Sequence, residues 1–209
     1  MTGKLRKIMV AAGLLFGCAL LSNCGTSRDD QNQMLVSVRD QQLLLVHEGK
    51  PVKAYKISTS KFGLGSRNGS NCTPLGHMEV ARKIGDGAPS GMVFKNRRPT
   101  GEVLRPNAPG RDPIVGRILW LHGKESQNRN TYGRCIYIHG TPEEWRLGSP
   151  ASYGCIRMAQ KDVVDLYNRV GVGAEVRVIR GSLLTTPEGL NYAQKKADAR
   201  FMGYTAFRR

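Results

Sequence analysis

The sequence predicts a mainly β domain with one short helix late in the chain and a second helix near the C-terminus. Short apolar runs separated by turn residues are typical of strands. The 25 glycines and 10 prolines suit many tight turns. Hydrophobic residues make up 40% of the 209 positions, which is enough for one packed domain with a leader and a tail.

The strands follow from short apolar runs and from alternation of apolar and polar residues. They are predicted at 34–38, 43–46, 52–58, 77–84, 117–121, 135–139 and 175–179. In the sixth of these, Ile136 and Ile138 point to one face of the sheet. Cys135, Tyr137 and His139 share the opposite face, so this strand carries reactive side chains on one side only.

The internal helix is predicted at 160–170, because its apolar residues recur at helical spacing and lie on one face. Gly171 and Gly173 end it. Residues 85–116 are rich in glycine, proline and arginine, and are predicted to form a long surface loop with a short hairpin. The basic tail contains the second predicted helix, at 187–200.

The N-terminal 24 residues have the features of an export signal. A positively charged start is followed by an apolar stretch at 8–21, which is too short to span a membrane comfortably. The segment Leu21-Ser22-Asn23-Cys24 resembles a bacterial lipobox, so Cys24 is the predicted lipidation site, with Cys18 as a poorer candidate. The alternative is an ordinary secreted protein whose leader contains cysteines.

The chain therefore divides into four predicted parts: the export signal at 1–24, a linker at 25–33, a folded domain at 34–180 and a basic tail at 181–209. The formal net charge is +16, from 32 basic and 16 acidic side chains. Such an excess favours a polyanionic partner: nucleic acid, an anionic membrane surface or an acidic cell-wall polymer. Export argues against nucleic acid and for a location in the cell envelope, facing the periplasm.

Three cysteines remain after the leader: Cys72, Cys135 and Cys155. An odd number in an oxidising compartment leaves at least one thiol unpaired or used for chemistry. Cys155 is the predicted reactive thiol. A disulfide bond between Cys72 and Cys135 stays open, because the sequence does not supply its geometry.

Two glycine-flanked reactive side chains lie close in sequence, His139 before Gly140 and Cys155 after Gly154. We expect Cys155 to lie just before a helix, whose N-terminus would favour the thiolate and lower the pKa of the thiol. Gly154 permits a tight turn in which main-chain N–H groups converge on an oxyanion. His139 would act as the base, oriented by the carbonyl group of Gly140.

Two structural alternatives compete with this interpretation. A cysteine in an apolar context is usually a small buried hydrophobic residue, and a histidine at a strand end is usually structural. A zinc site is conceivable from His122, Cys135, His139 and Cys155, but no closely spaced ligand pair supports it. His47, His77 and His122 have no motif around them and are predicted to be structural or surface residues.

The segment 137–158 as a whole resembles the signature of YkuD-type L,D-transpeptidases. That signature is a histidine followed at a set distance by Ser/Thr-His-Gly-Cys, an apolar residue and Asn or Arg; here it is His139 and Ser152-Tyr-Gly-Cys-Ile-Arg157. Similar segments occur at 58–60, 73–76 and 162–166, so the resemblance covers about 34–180. Tyr153 departs from the family pattern, because it stands where the family usually has histidine.

The resemblance implies a YkuD-like β-sandwich or barrel, with Cys155 as nucleophile and His139 as general base and acid. The family forms a thioacyl-enzyme from a peptidoglycan stem tetrapeptide and passes it to an amine of a second stem peptide or an anchored lipoprotein. Water as acceptor would make the enzyme a carboxypeptidase. No metal or organic cofactor is implied, and carbapenems are expected to acylate the cysteine.

The resemblance also indicates further site residues. The main-chain N–H groups of Tyr153, Gly154 and Cys155 would form the oxyanion pocket. Arg157, Ser152, Tyr153 and Trp145 are the candidate substrate-binding residues, although Arg157 fits a structural salt bridge equally well and Trp145 a loop or core anchor. Weaker basic candidates are Arg134 and the cluster Lys95, Arg97 and Arg98. Tyr153 leaves one functional alternative, an impaired peptidoglycan-binding lipoprotein of the same fold.

Overall fold

The computed structural model describes residues 28–206, with side chains to residue 201, and contains ten strands and two α-helices in that range. The predicted export signal and Cys24 lie outside the described residues. The strands are β1 (Asn32–Ser37), β2 (Gln42–His47), β3 (Lys50–Ser58), β4 (Gly76–Ile84), β5 (Met92–Lys95), β6 (Arg98–Val103), β7 (Ile114–Gly123), β8 (Tyr137–Gly140), β9 (Ile156–Met158) and β10 (Glu175–Ile179). The helices are α1 (Gln160–Arg169) and α2 (Pro187–Ala206).

Eight of the strands close into a barrel. Their order is β4-β10-β1-β2-β3-β9-β8-β7, and pairing of β7 with β4 completes the circle. The neighbours β1 and β10 are parallel, as are β8 and β9, whereas the other pairs are antiparallel. Strands β5 and β6 form a hairpin that adds to the start of β7. The mainly β prediction is confirmed.

The barrel interior takes buried apolar residues from all eight strands and from α1. Strand alternation divides β8 and β9, so that Ile138 and Ile156 belong to this interior cluster. Tyr137 belongs to a second cluster with Phe94 and Trp120, against which Cys155 packs. Helix α2 covers a third cluster on β1 and β2. The side chains of odd-numbered residues in β8 therefore lie outside the barrel interior.

Most predicted elements are present with small shifts at their ends. β1 begins two residues earlier than expected, and the predicted surface loop at 85–116 contains the β5–β6 hairpin and the start of β7. The placement of Cys155 directly before a helix is wrong. Strand β9 lies between them, and α1 begins only at Gln160. No helix in residues 28–206 has both the length and the apolar character needed to span a membrane.

Helix α1 is fixed to the barrel by the carboxylate of Asp165. This group accepts hydrogen bonds of 2.8 Å from Lys53 Nζ and from the Tyr55 hydroxyl, both on β3. Burial alone would raise the pKa of Asp165, but the hydrogen bonds from Lys53, Arg169 and Tyr55 lower that pKa to about 2. Helix α1 also packs against β7 and β8, where Val163 lies next to Gly140.

Gly140 ends β8 where three elements meet without room for a side chain. A Cβ atom at this position would lie 2.6 Å from the carbonyl oxygen of Val115 and 3.0 Å from Cγ1 of Val163. Both distances are shorter than a normal contact between non-bonded atoms. A glycine is required here by the close approach of β7 and α1.

We expect Gly140→Ala to lower the free energy of unfolding by about 1–3 kcal/mol, because the added methyl group forces β7, β8 and α1 apart. The melting temperature should fall by several degrees in thermal unfolding followed by circular dichroism. Gly133→Ala is the matched control, because the nearest atom to its Cβ, the Asn130 carbonyl oxygen, lies 3.7 Å away. Equal melting temperatures for the two variants would contradict the tight packing described here.

Candidate active site

The His139 side chain is positioned by pairing of β8 with both neighbours. His139 lies opposite Ile118 of β7 and opposite Arg157 of β9. The ring is buried, and its Nδ1 lies 2.8 Å from the carbonyl oxygen of Gly140. A carbonyl group can only accept, so Nδ1 carries the proton in this contact and Nε2 has the free lone pair. The histidine is therefore set up to accept a proton at Nε2.

Cys155 immediately precedes β9, the neighbour of β8. It lies two residues before Arg157, and side chains two residues apart in a strand point the same way. Because Arg157 is opposite His139, Cys155 and His139 lie on the same side of two adjacent parallel strands. The Cys155 thiol donates to the Cys135 carbonyl at 3.5 Å, and no hydrogen bond joins it to the His139 ring in the described structure.

The turn before Cys155 is held by side-chain contacts to its main chain. Ser152 Oγ donates to the carbonyl group of Cys155 at 2.5 Å, and the N–H group of Gly154 donates to Ser152 Oγ at 3.2 Å. Thr73 Oγ1 donates to the carbonyl group of Gly154 at 3.0 Å. Gly154 has a φ of 119°, a conformation that other residues rarely adopt. The turn is thus fixed before any substrate binds.

These contacts alter two of the expected roles. Ser152 is buried, and its hydroxyl group is already used to hold the turn. The N–H group of Gly154 donates to Ser152 Oγ. Of the three main-chain N–H groups expected in the oxyanion pocket, this one therefore already has a partner.

Both reactive groups are electrically neutral at neutral pH. Burial lowers the pKa of His139, against the opposing effects of the Gly140 hydrogen bond and the Asp112 charge. Burial raises the pKa of the Cys155 thiol to about 11, although a main-chain hydrogen bond from Tyr137 and the charge of Arg134 act against it. The expected lowering of the thiol pKa is therefore wrong. The helix N-terminus that was to cause it begins five positions away, and burial dominates.

An acidic residue that the sequence analysis did not find lies near the histidine. Asp112, from the segment before β7, forms an ion pair with Arg157 and accepts a hydrogen bond from Thr141. Its charge raises the pKa of His139, whereas that of Arg157 lowers it. Glu143 lies 3.3 Å from the same Arg157 nitrogen. The buried Arg157 and the partly exposed Asp112 thus set the electrostatic environment of the imidazole.

The remaining predicted substrate-binding residues have very different surroundings. Arg157 is only 2% exposed, and its ion pairs with Asp112 and Glu143 match the salt-bridge alternative rather than direct contact with substrate. Trp145 is 72% exposed and is not a core anchor. Tyr153 is 64% exposed, with its hydroxyl group 3.0 Å from Lys61 Nζ.

The other two cysteines are free thiols, so the disulfide bond left open by the sequence is absent. Cys72 donates to the carbonyl group of Phe62 at 3.1 Å, and Cys135 lies 3.7 Å from an Arg97 nitrogen. Within the described side chains, no group of three or more His, Cys, Asp or Glu residues is arranged to hold a metal ion. The zinc alternative therefore finds no set of ligands.

The weaker candidates from the sequence analysis take structural or surface positions. Arg134 donates to the carbonyl groups of Gly65 and Cys72 at 3.1 and 2.8 Å, and so braces the loop below the nucleophile turn. Arg97 lies over the Trp120 ring, 4.9 Å from its centre. Solvent-exposed side chains are Lys95, Arg98, His47, His77 and His122.

Comparison with known proteins identifies the family of the folded domain. Residues 31–178 match the family model of the YkuD L,D-transpeptidase catalytic domain, which is more than half of the chain. The chain belongs to the YkuD L,D-transpeptidase family. The matched segment includes the whole barrel except the last residue of β10, and it includes both His139 and Cys155.

Three individual relatives share between 16% and 34% sequence identity with this chain. YqjB of Bacillus subtilis, named as an L,D-transpeptidase, is 26% identical over 145 residues, which are 69% of either chain. YbiS of Escherichia coli is 34% identical over 64 residues, which cover 30% of this chain and 21% of YbiS. A solved L,D-transpeptidase from Mycobacterium smegmatis has a TM-score of 0.47 at 16% identity, over 71% of this chain and 58% of its own.

We expect alkylation of Cys155 by iodoacetamide to be slow at pH 7 and to rise about tenfold per pH unit towards pH 11. The reagent attacks the thiolate, and a pKa of about 11 leaves very little thiolate at neutral pH. Mass spectrometry of the Cys155 peptide after timed quenching measures the rate. The same protein unfolded in urea is the control, and should react roughly a hundredfold faster at pH 7. A rate that is already constant between pH 6 and 8 would show a thiolate–imidazolium pair instead.

Proposed function

We propose that this protein is a peptidoglycan L,D-transpeptidase that forms a thioacyl-enzyme at Cys155 from a stem tetrapeptide and transfers the acyl group to an amine. The observation that carries the proposal is the placement of Cys155 and His139 on the same side of adjacent parallel strands, with Nδ1 of the histidine held by Gly140. Family membership supports the same chemistry. A neutral thiol beside a neutral imidazole is a competent pair for general-base catalysis.

Acylation begins when the Cys155 thiol turns from the Cys135 carbonyl towards His139. Sulfur attacks the carbonyl carbon of the third stem residue while His139 Nε2 takes the thiol proton, so a C–S bond forms and the carbonyl oxygen becomes an oxyanion. Main-chain N–H groups of the turn stabilise this oxyanion. When the intermediate collapses, the C–N bond breaks and the imidazolium proton passes to the leaving D-alanine amine.

Transfer reverses these roles with a different amine. The acceptor amine attacks the thioester carbonyl carbon and His139 takes its proton, after which the C–S bond breaks and the sulfur recovers that proton. Asp112 assists both halves, because its negative charge favours the imidazolium ion that forms in each. Water in place of the amine would give a carboxypeptidase, and analysis of the products distinguishes the two.

Location in the cell envelope belongs to the same proposal. It rests on the export signal at 1–24 and on the lipid anchor proposed at Cys24, both outside the described residues. The net charge of +16 suits a substrate rich in carboxylates. No nucleic-acid partner and no cofactor are part of the proposal.

The alternative of an impaired peptidoglycan-binding protein rests on Tyr153 in place of histidine. The Tyr153 side chain points to the surface and contacts Lys61 and Phe62, whereas the turn contributes its main chain to the site. The substitution therefore changes the rim of the site and leaves His139 as the base. This surface position of Tyr153 favours the active enzyme over the impaired one.

We expect Cys155→Ala to abolish the mass adduct formed with a carbapenem and the release of D-alanine from a defined tetrapeptide, with rates falling at least about a thousandfold. Intact-protein mass spectrometry measures the adduct, and product masses separate transfer to an amine from hydrolysis. The wild-type protein should give one adduct per chain.

Cys72→Ser is the matched control, because Cys72 is also a free thiol close to the nucleophile turn but does not lie at the start of β9. It should keep both the adduct and the turnover. An adduct that persists in Cys155→Ala and is lost in Cys72→Ser would show that Cys72 is the nucleophile, and would contradict the proposal.

A further inference from the structure

A lysine flanked by two exposed aromatic rings lies beside the nucleophile turn. The rings of Phe62 and Tyr153 are 5.3 Å apart, and their residues are 48% and 64% exposed. Lys61 Nζ lies 4.3 Å from the centre of the Tyr153 ring and 5.2 Å from that of Phe62. We call these three residues the Lys61 platform. Exposed apolar groups gathered in this way are typical of binding surfaces.

The platform is attached to the turn that carries the nucleophile. The N–H group of Lys61 donates to the carbonyl group of Ser152 at 3.1 Å, and Ser60 pairs with Ser152 in a parallel β-bridge. The Cys72 thiol donates to the Phe62 carbonyl group, which fixes the other side of the platform. Tyr153 is two residues before Cys155, so their Cα atoms are at most about 7 Å apart. The platform and the proposed nucleophile therefore belong to the same turn.

The charge of Lys61 has no carboxylate partner among the described side chains. The ion pairs there involve other basic residues, such as Lys53 and Arg157. The Lys61 ammonium group instead donates to the Tyr153 hydroxyl group, and this contact lowers the pKa of Tyr153. Arg146 adds a second positive charge near Tyr153, opposed by Glu143. An uncompensated ammonium group with an apolar floor suits a carboxylate attached to a hydrocarbon chain.

We propose that Lys61 binds the side-chain carboxylate of the donor residue that becomes attached to Cys155, with Phe62 and Tyr153 covering the aliphatic part of that residue. The proposal rests on the function proposed above and adds a selection rule to it. Donors with this carboxylate free are preferred to donors in which it is a carboxamide. Tyr153, the departure from the family pattern, then belongs to the substrate-recognition surface.

Binding is tested in the Cys155→Ala background, where no turnover can occur. Two tetrapeptides that differ only in this group, free carboxylate or carboxamide, are titrated by isothermal calorimetry. We expect the free acid to bind about fivefold more tightly, as for one partly exposed charged hydrogen bond, and less so as salt is raised. Adding Lys61→Gln should remove this difference in affinity, because it weakens binding of the free-acid tetrapeptide only.

Two further variants separate charge from shape. Lys50→Gln removes an exposed lysine at the β2–β3 turn, outside the site, and should leave the fivefold preference intact. Phe62→Ala should weaken both tetrapeptides equally, because it removes apolar cover and leaves the charge. Equal affinity of the two tetrapeptides for the parent protein, or a preference that survives Lys61→Gln, would overturn the proposal.

The carbapenem adduct at Cys155 provides the separate readout of the proposed function. Lys50→Gln in the otherwise native chain should form this adduct as fast as wild type, whereas Lys61→Gln should raise the KM for the acid tetrapeptide about fivefold and leave the KM for the carboxamide tetrapeptide unchanged. If the adduct forms and the preference is absent, the proposed role of the Lys61 platform is rejected and the proposed nucleophile is retained. A preference in binding without any adduct would keep the platform and reject the nucleophile.

Discussion

The site depends on the hydrogen bond between His139 Nδ1 and the carbonyl group of Gly140. It leaves the Nε2 lone pair as the proton acceptor and keeps the ring on the side of the sheet where Cys155 lies. The bond in turn depends on the absence of a side chain at Gly140, since β7 and α1 leave no space for one. The packing of β7 and α1 against β8 and the proposed proton transfer therefore both depend on His139 and Gly140.

Burial gives this pair its chemical character. The thiol and the imidazole are both shifted towards their neutral forms, so in the proposed mechanism the proton moves only when the sulfur attacks. A resting thiol is less susceptible to oxidation than a thiolate. The positive charge that forms on His139 is balanced by Asp112, whose own position is set by Arg157 and Thr141. In the proposed mechanism Asp112 therefore acts through its charge, without contact with the substrate.

Much of the barrel, and the cysteine and histidine themselves, could be predicted from strand alternation and from the spacing around His139 and Cys155. The helix itself was predicted at its observed start, but the strand between Cys155 and the helix was missed, because β9 has three residues and is too short to give a periodic signal. Asp112 was missed because it lies in a loop without pattern and meets Arg157 only through folding, 45 positions away. The direction of the thiol pKa was wrong because burial is a property of the packed structure.

The most direct test of the site is the tautomer and charge of His139 at pH 7, measured by nitrogen-15 NMR of the labelled histidine ring. We expect a neutral ring protonated at Nδ1, with an unprotonated Nε2, and titration below the ordinary histidine range of about 6.5. Cys155→Ala should leave this signal in place, because the Gly140 carbonyl group and not the thiol determines the tautomer. A doubly protonated ring at pH 7, or a proton on Nε2 alone, would contradict the neutral pair and the role of Gly140.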